Sequence, residues 1–485
     1  MTIDDDLCYR ALTARDTRFD GLFYVGVKTT GIYCRPVCTA KTPRRTSCRF
    51  FPSAALAEQV GFRPCLRCRP ELAPGLAPVD STRTIARAAA ARIEAGALNN
   101  AGNLESLATT FGISSRQLRR AMRSELGVSP VQLAQTTRLL LAKRLIAETQ
   151  LPMVQVALAA GFDSVRRFNA VFQRHYRLTP SSLRRATTTN TSTDHLRLLL
   201  AYRPPLAWPA LLRFLAARAI TGVECVTVDA YRRTVRYGDH RGWISVSQVT
   251  GKNQLAIELS TELTPALPAI LSRIRNLFDL DARPDIIANH LATDPALRKH
   301  VKHQPGLRVP GCLDSFELGW RAILGQQVSV RGASTLAGRV AERFGEPIQT
   351  PFPCLNRLTP TAAHVAEAPI DEVRSCGLPQ SRSECLHGFA AAIADEQIDL
   401  EPGSYSDGVI RQLTGLRGIG PWTAEYIAMR ALRWPDAFPT GDLGLLQATG
   451  TKSPAALTKS AERWRPWRAY AAMHWWQSLS PSFDQ

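Results

Sequence analysis

The sequence predicts a multidomain fold, mainly α with α+β parts. Three observations carry that expectation. Two runs read as linkers: residues 70–82 (PELAPGLAPVDST), rich in proline and small residues, and residues 186–194 (ATTTNTSTD), a polar low-complexity stretch. Apolar residues recur at helical spacing between those runs, and again from about residue 265 onward. Between the two helical regions lie five short strand-like segments separated by turn residues. A chain of 485 residues suggests three or four domains. The boundaries expected are 1–75, 81–186, 195–270 and 271–485.

Composition narrows the partners. Hydrophobic content of 45% is ample for packed cores, and the formal net charge is +19. A basic excess of that size favours a nucleic acid or another anionic surface. No apolar run reaches about 18 residues without a charge, and no opening segment resembles a signal peptide. A soluble cytosolic protein with no membrane partner is expected. Eleven cysteines, an odd number at irregular spacing, argue against a disulfide framework. Cys8, Cys48, Cys225, Cys312, Cys354, Cys376 and Cys385 show no ligand spacing and read as ordinary small side chains.

The other four cysteines form two pairs. Three residues separate Cys34 from Cys38, and two separate Cys65 from Cys68. Zinc favours a tetrahedron of thiolates, and each close pair supplies two corners from one turn of chain. Spacing alone favours a structural site, since most four-thiolate zinc sites only hold a fold. The flanks are basic: Arg35, Lys41, Arg44, Arg45, Arg49, Arg63, Arg67 and Arg69. These charges either offset an anionic cage or face a polyanion.

The runs TTGIYCRPVC and GFRPCLRCRPE, within residues 14–71, closely resemble the zinc domain of the Ada adaptive-response family. That resemblance implies one zinc ion held by Cys34, Cys38, Cys65 and Cys68. It also implies that Cys34 accepts a methyl group from a DNA methylphosphotriester. Thr30 and Arg63 match family positions that touch the DNA backbone, and Lys41 stands where the family has an arginine.

The middle segment carries one pattern twice. Residues 104–120 (LESLATTFGISSRQLRR) and 154–168 (VQVALAAGFDSVRRF) each read as helix, glycine turn and second helix. Ser114 can cap the second helix of the first copy, and the second helix of the other copy starts near Ser164. Both second helices carry arginines near their N-terminal ends, where a recognition helix meets bases and phosphates. Pattern alone fits a helical hairpin that binds no DNA equally well. The two copies are joined by a long helix near residues 131–149. With the run GFDSVRRFNAVFQRHYRLTPSSLRR, they resemble the AraC-type transcription-factor domain over residues 84–185. The resemblance implies promoter DNA and RNA polymerase as partners. Arg116, Gln117 and Arg120 in the first recognition helix, and Arg166, Arg167 and Asn169 in the second, are the DNA-contacting candidates.

Beyond the second linker, residues 195–202, 223–228, 234–237, 244–249 and 255–259 read as strands, with a helix near 209–219. Short turns between sequential strands imply an antiparallel sheet in an α+β domain. The rest reads as helix. Within it, LTGLRGIGPWTA (413–424) is a glycine hairpin feeding a helix. Gly418 and Gly420 let backbone approach a phosphate, and amides at the helix start point at it. Glycine turns are common, so the motif alone decides nothing. About twenty residues on, FPTGDLG places Asp442 after a Pro/Gly turn, where a lone aspartate is most simply a helix N-cap.

Hairpin and aspartate together resemble the helix-hairpin-helix DNA glycosylases. The runs AILGQQVSV and ERWRPWRAYAAMHWW narrow this to the AlkA-type 3-methyladenine glycosylases, from about residue 195 to the end. That implies Asp442 as catalytic carboxylate and Trp422, Tyr426 and Trp476 as the base pocket, whose electron-rich faces suit a cationic base. Gln327 stands where relatives insert an apolar wedge into the duplex. Trp422 replaces the lysine of glycosylase-lyases, so hydrolysis without strand cleavage is expected. No cysteine follows Cys385, so no iron–sulfur cluster is expected, and the Pro-Cys-His-Arg motif of an alkylguanine methyltransferase is absent. The combined reading is a nucleoid-associated regulator and repair enzyme acting on alkylated and promoter DNA. The competing reading is a DNA-binding regulator with structural zinc and an inactive glycosylase-like domain.

Overall fold

The computed structural model describes residues 5–15, 19–20, 23–51, 54–70, 78–99, 102–184, 195–402, 404 and 406–479. The linker expected at 186–194 lies outside the described residues. The chain divides into two compact units, one of Met1–Ala90 with Asn103–Pro130, the other of Ala91–Gly102 with Val131–Gln485.

The first unit opens with α1 (Asp5–Thr13), β1 (Tyr24–Val27), β2 (Ile32–Cys34), β3 (Cys48–Phe51), α2 (Ala54–Gln59) and β4 (Arg63–Pro64). The sheet order is β3-β1-β2-β4. β1 pairs antiparallel with both β2 and β3, while β2 and β4 run parallel, with Ile32 opposite Arg63 and Tyr33 opposite Pro64. Its core is small: Val25, Tyr33, Phe51 and Ala57 are buried. α3 (Pro78–Glu94) begins inside the segment expected to be linker. Proline suits the first turn of a helix, where its missing N–H has no partner to lose, so the proline-rich composition misled. α4 (Leu104–Thr109) and α5 (Ser115–Leu126) form the first helix-turn-helix, turning at Gly112 with φ +65°. α5 buries Leu118, Ala121 and Met122 on one face.

The second unit begins with α6 (Pro130–Glu148), whose first residue belongs to the other unit, then α7 (Met153–Ala159), α8 (Val165–Tyr176) and α9 (Pro180–Leu183). Phe168 and Phe172 of α8 are fully buried. The turn needs Gly161: its φ is +88°, and a Cβ there would lie 2.3 Å from the Asn99 amide.

Next come β5 (His195–Ala201), α10 (Trp208–Ala216), β6 (Glu224–Val226), β7 (Ala230–Tyr237), β8 (His240–Gln248) and β9 (Gln254–Ser260). The sheet is antiparallel throughout, in the order β5-β9-β8-β7-β6. β7 and β8 start at Ala230 and His240, earlier than the 234 and 244 read from sequence. Arginines conceal the alternation there, and Arg233 is buried rather than exposed.

The remaining helices are α11 (Leu267–Leu277), α12 (Pro284–Leu291), α13 (Pro295–His303), α14 (Ser315–Leu324), α15 (Val330–Phe344), α16 (Ala362–Glu367), α17 (Ile370–Ser375) and α18 (Gln380–Ala394). They continue as α19 (Ser406–Gly415), α20 (Pro421–Arg430), α21 (Leu443–Thr449), α22 (Pro454–Ala461) and α23 (Arg468–Ser478). A buried ion network ties sheet to helices. Arg233 of β7 meets Glu317 of α14 at 2.5 Å, and Arg321 of α14 meets Glu317 at 2.8 Å and Glu224 of β6 at 2.9 Å. α23 is held at its start by Arg468, which bonds the Asp436 carboxylate at 2.9 and 3.1 Å. Among the described residues no helix is long and apolar enough to cross a membrane.

α23 also buries His474. Burial lowers its imidazole to about 4, with His300 adding to the shift. The unfolded chain takes up that proton near the ordinary value of about 6.5. Its contribution to stability is therefore full above about 6.5 and is lost as pH falls toward 4, by roughly 3 kcal/mol. His474→Gln should flatten the acid limb of thermal unfolding over that window. An unchanged limb would assign the loss to other groups.

Candidate functional site

The zinc-type cysteines are brought together by strand pairing. Cys34 ends β2 and Cys65 follows β4, and the parallel register sets them side by side, with the Cys65 N–H donating to the Tyr33 carbonyl at 3.0 Å. A turn closed by the Cys38 N–H on the Arg35 carbonyl folds Cys38 back. The four sulfurs lie within 4.8 Å of one another, compatible with corners of a tetrahedron with zinc–sulfur bonds of about 2.3 Å. Backbone N–H groups of Arg35 and Ala40 donate to Cys68 and Cys38 Sγ, each at 3.5 Å, as thiolates require. The thiols are close enough to share protons: the hydrogen bond between them raises Cys34 and lowers Cys38 to about 2. A divalent cation ends that competition by taking all four as thiolates. The donor set fits one zinc ion.

Taken as whole residues, Cys38, Cys65 and Cys68 are buried and Cys34 is half-buried, while at the cluster itself all four are buried. Thr30, Lys41 and Arg63 are exposed. Arg35 is not part of that basic face: it is 1% exposed and paired with Asp20.

In the first helix-turn-helix, Arg116 and Arg120 are exposed on α5. Gln117 is also at the surface, but its side-chain oxygen accepts from the Ser114 N–H at 2.9 Å. It closes a capping box, with Ser114 Oγ accepting from the Gln117 N–H. The cap thus uses part of a side chain expected to face DNA. In the second, Arg166, Arg167 and Asn169 are exposed on α8, and Ser164 caps the helix through the Arg167 N–H.

The glycosylase-type residues line one cleft of about 1100 Å³. Asp442 is the N-cap of α21, accepting from the Leu445 N–H at 2.9 Å. The same carboxylate accepts from the indole N–H of Trp476 at 2.8 Å and of Trp422 at 3.0 Å. The cap and the cleft carboxylate are one group. Trp422 stacks on Tyr426 with centroids 5.4 Å apart and an interplanar angle of 14°, and Trp476 stands 6.3 Å from Tyr426. Gln327, Gly418 and Gly420 lie along the same cleft and are exposed.

Arg218, Arg321 and Arg430 also line the cleft. Arg430 donates to the Tyr426 hydroxyl at 2.8 Å and to the carbonyls of Pro310 and Gly311. Burial raises the Tyr426 phenol, but Arg430, Arg218 and Arg321 outweigh it and leave it below its ordinary value. Burial lowers Arg218. Burial also opposes the charge on Arg321, yet Glu224 and Glu317 hold it above its ordinary value.

Four family models match along the chain. They are the metal-binding domain of Ada (residues 7–71), a helix-turn-helix domain (107–186), the AlkA N-terminal domain (197–314) and the HhH-GPD superfamily base excision DNA repair protein (320–451). A Mycobacterium tuberculosis protein, described as a probable bifunctional transcriptional activator/DNA repair enzyme AlkA, is 39% identical over 100% of this chain and 98% of its own length. The chain belongs to this bifunctional AlkA family. A further AlkA-type relative, DNA-3-methyladenine glycosylase 2 of Escherichia coli, is 37% identical over 57% of this chain and 95% of its own. The solved 3-methyladenine DNA-glycosylase of Archaeoglobus fulgidus shares the fold of that part, with TM-score 0.51, 20% identity and coverage of 57% and 96%. The bifunctional AlkA organisation thus joins an Ada-type zinc domain, a helix-turn-helix domain and a glycosylase in one chain.

Sequence reasoning missed the three arginines and Gln326. The arginines had a signal: each interrupts an apolar run (LLRFLAARAI, GWRAILG, YIAMRAL), where a charged side chain needs a partner or a cavity. Gln326 had none. Its amide donates at 2.9 Å both to the Gly418 carbonyl and to Thr423 Oγ1.

Gly418 has φ +89°, and a Cβ there would come within 2.8 Å of Cys385 Cβ on α18. Gly418→Ala should therefore destabilise the hairpin by roughly 1–3 kcal/mol and weaken duplex binding. Unchanged melting and affinity would show that the hairpin yields without cost.

Proposed function

We propose that this protein senses and repairs alkylated DNA through two separate chemistries, with Cys34 and Asp442 as the reacting residues. The boundaries 1–75, 81–186, 195–270 and 271–485 separate zinc, regulatory, α+β and glycosylase parts in this reading.

In the zinc domain, Cys34, Cys38, Cys65 and Cys68 would hold one zinc ion. Bound zinc keeps the sulfurs deprotonated at neutral pH. The Cys34 sulfur attacks the methyl carbon of a methylphosphotriester. The sulfur–carbon bond forms as the carbon–oxygen bond breaks, and the restored phosphodiester leaves with its negative charge. Cys34 is the candidate because it stands at the acceptor position of the Ada-type motif, and as a whole residue it is less buried than the other three. The thiolate becomes a thioether, so one negative charge disappears beside the exposed Thr30, Lys41 and Arg63. DNA affinity then rises. Arg116, Gln117 and Arg120, with Arg166, Arg167 and Asn169, contact promoter DNA, and RNA polymerase is the partner that reads the outcome in a nucleoid-associated, cytoplasmic setting.

In the glycosylase, the hairpin amides at Gly418 and Gly420 hold the backbone and the alkylated purine is extruded into the cleft. Trp422, Tyr426 and Trp476 present their faces to it. Alkylation at a ring nitrogen has already made the purine a good leaving group, so no strong acid is required. As the bond from C1′ to the base nitrogen breaks, Asp442 stabilises the positive sugar or takes the proton of the attacking water. The base departs neutral and the sugar keeps a hydroxyl. The observation that carries this reading is the carboxylate fixed between two indole N–H groups at the cleft wall.

Asp442→Asn should lower excision of methylated adenine from duplex DNA by several orders of magnitude with folding intact. Unchanged release would move catalysis elsewhere. For the zinc domain, intact mass after exposure to a methylphosphotriester oligonucleotide should show one added methyl group, absent in Cys34→Ala. Persistent transfer in the variant would assign the acceptor to another cysteine. Loss of neither activity on substitution, because wild type shows none, would leave a DNA-binding regulator with structural zinc.

A further inference from the structure

Two cysteines far apart in the chain meet where the sheet of the second unit touches its helical part. Cys225 lies on β6, an edge strand of the five-stranded sheet, and is half-buried. Cys354 lies in the segment between α15 and α16 and is exposed. The backbone brackets the pair from two sides. Three residues before Cys225, the Gly222 carbonyl accepts from the Asn356 N–H at 2.9 Å and the Arg357 N–H at 3.0 Å. Gly222 also forms a parallel bridge with Leu355, the residue after Cys354. The approach is close enough to need glycine: φ is +83°, and a Cβ on Gly222 would lie 2.8 Å from Asn356 Oδ1.

The second bracket runs through β7. Cys225 stands opposite Arg232, and side chains directly opposite in an antiparallel pair share a face. The Arg232 guanidinium lies 5.0 Å from the centre of the Phe352 ring. Phe352 opens the turn that holds Cys354, closed by the Leu355 N–H on the Phe352 carbonyl at 2.8 Å. The two thiols thereby come within hydrogen-bonding reach. Burial, together with that bond, raises the Cys354 thiol, and Arg232 works against the rise. Either cysteine alone is an ordinary side chain. Two thiols in contact, held by fixed backbone beside a cation and open to solvent on one side, are a dithiol poised for exchange.

We propose that Cys225 and Cys354 form a redox-active dithiol, closed to a disulfide by exchange with low-molecular-weight disulfides of the glutathione type. Cys354, the exposed member, attacks as thiolate. Its bond to one glutathione sulfur forms as the S–S bond of the reagent breaks, and the other glutathione leaves as thiolate. The Cys225 thiolate then attacks the Cys354 sulfur of the mixed disulfide. The Cys225–Cys354 bond forms and the second glutathione leaves. The protein gives up two electrons and two protons, which the two released thiols carry away. The bond closes a loop of about 130 residues. It joins the region matching the AlkA N-terminal domain to the region matching the base excision superfamily. Glu224, the neighbour of Cys225 on β6, holds Arg321 of α14 at 2.9 Å. The closed dithiol therefore braces the strand on which that ion network rests.

The test uses the full chain loaded with zinc, so that metal holds Cys34, Cys38, Cys65 and Cys68. The protein is incubated with glutathione disulfide at about pH 8, because a raised thiol attacks slowly at neutral pH. Its peptides are then mapped by mass without reduction. Wild type should show one internal bond, between the peptides carrying Cys225 and Cys354. Its main melting transition should rise by about 5 °C over the reduced protein. Cys225→Ser should stop at a single glutathione on Cys354, and Cys354→Ser should form no internal bond; neither should show the rise. Under dithiothreitol both variants should melt with reduced wild type, which separates loss of the bond from loss of the fold. Both thiols recovered free in wild type, a mixed disulfide that never resolves, or a bond from either cysteine to a third one overturns the dithiol. A Cys225–Cys354 bond that leaves the transition unmoved overturns the brace.

Discussion

The cleft depends on a buried network of four charges. Arg233, Glu317, Arg321 and Glu224 are linked by contacts of 2.5 to 2.9 Å, and the Tyr231 hydroxyl donates to Glu224 at 2.5 Å. Such groups lose hydration when buried, and removing one partner strands the rest, at a cost of about 3–5 kcal/mol. The network therefore ties α14 to β6 and β7 in one arrangement, since each charge needs its partners in place. It also sets the direction of α14, from which Arg321 enters the cleft and Gln326 and Gln327 follow in the next loop. The α+β domain is thus a buttress for the site rather than an appendage to it.

The zinc-type domain solves a different problem. Its apolar core is divided into small clusters, one around Phe23 and Val25 and one around Tyr33 and Phe51, too small to hold a fold by burial alone. Parallel pairing of β2 with β4 aligns the two cysteine pairs, and the buried Arg35–Asp20 pair braces the turn between Cys34 and Cys38. Metal binding and folding are coupled in a domain of this size.

Sequence reading succeeded where spacing is local and chemistry explicit. The cysteine pairs, the two glycine turns and the serine cap at Ser114 each rest on residues close in sequence, and the structure places them as the spacing implies. Asp442 is more instructive. The cap and the cleft carboxylate looked like competing readings, and they are the same group, because one oxygen serves the Leu445 N–H and both oxygens accept from indoles. What sequence did not reveal depends on contacts between distant segments. Arg35 sits in a basic run yet is buried on Asp20, Gln117 is drawn into a cap, and Arg218, Arg321 and Arg430 converge from the turn after α10, from α14 and from α20. Proline in a first helical turn hid the start of α3, paired arginines hid the start of β7, and the polar His240-Arg241-Gly242 opening hid the start of β8.

The two indole N–H bonds to Asp442 have a mechanical consequence. Trp422 comes from α20 and Trp476 from α23, so the carboxylate is suspended between two helices as well as capping a third. The aromatic walls and the anion are hydrogen-bonded to one another, so tilting either indole strains its bond to the carboxylate. In the base-excision reading proposed above, a guest that stacks badly would thereby also disturb the bearing of the anion.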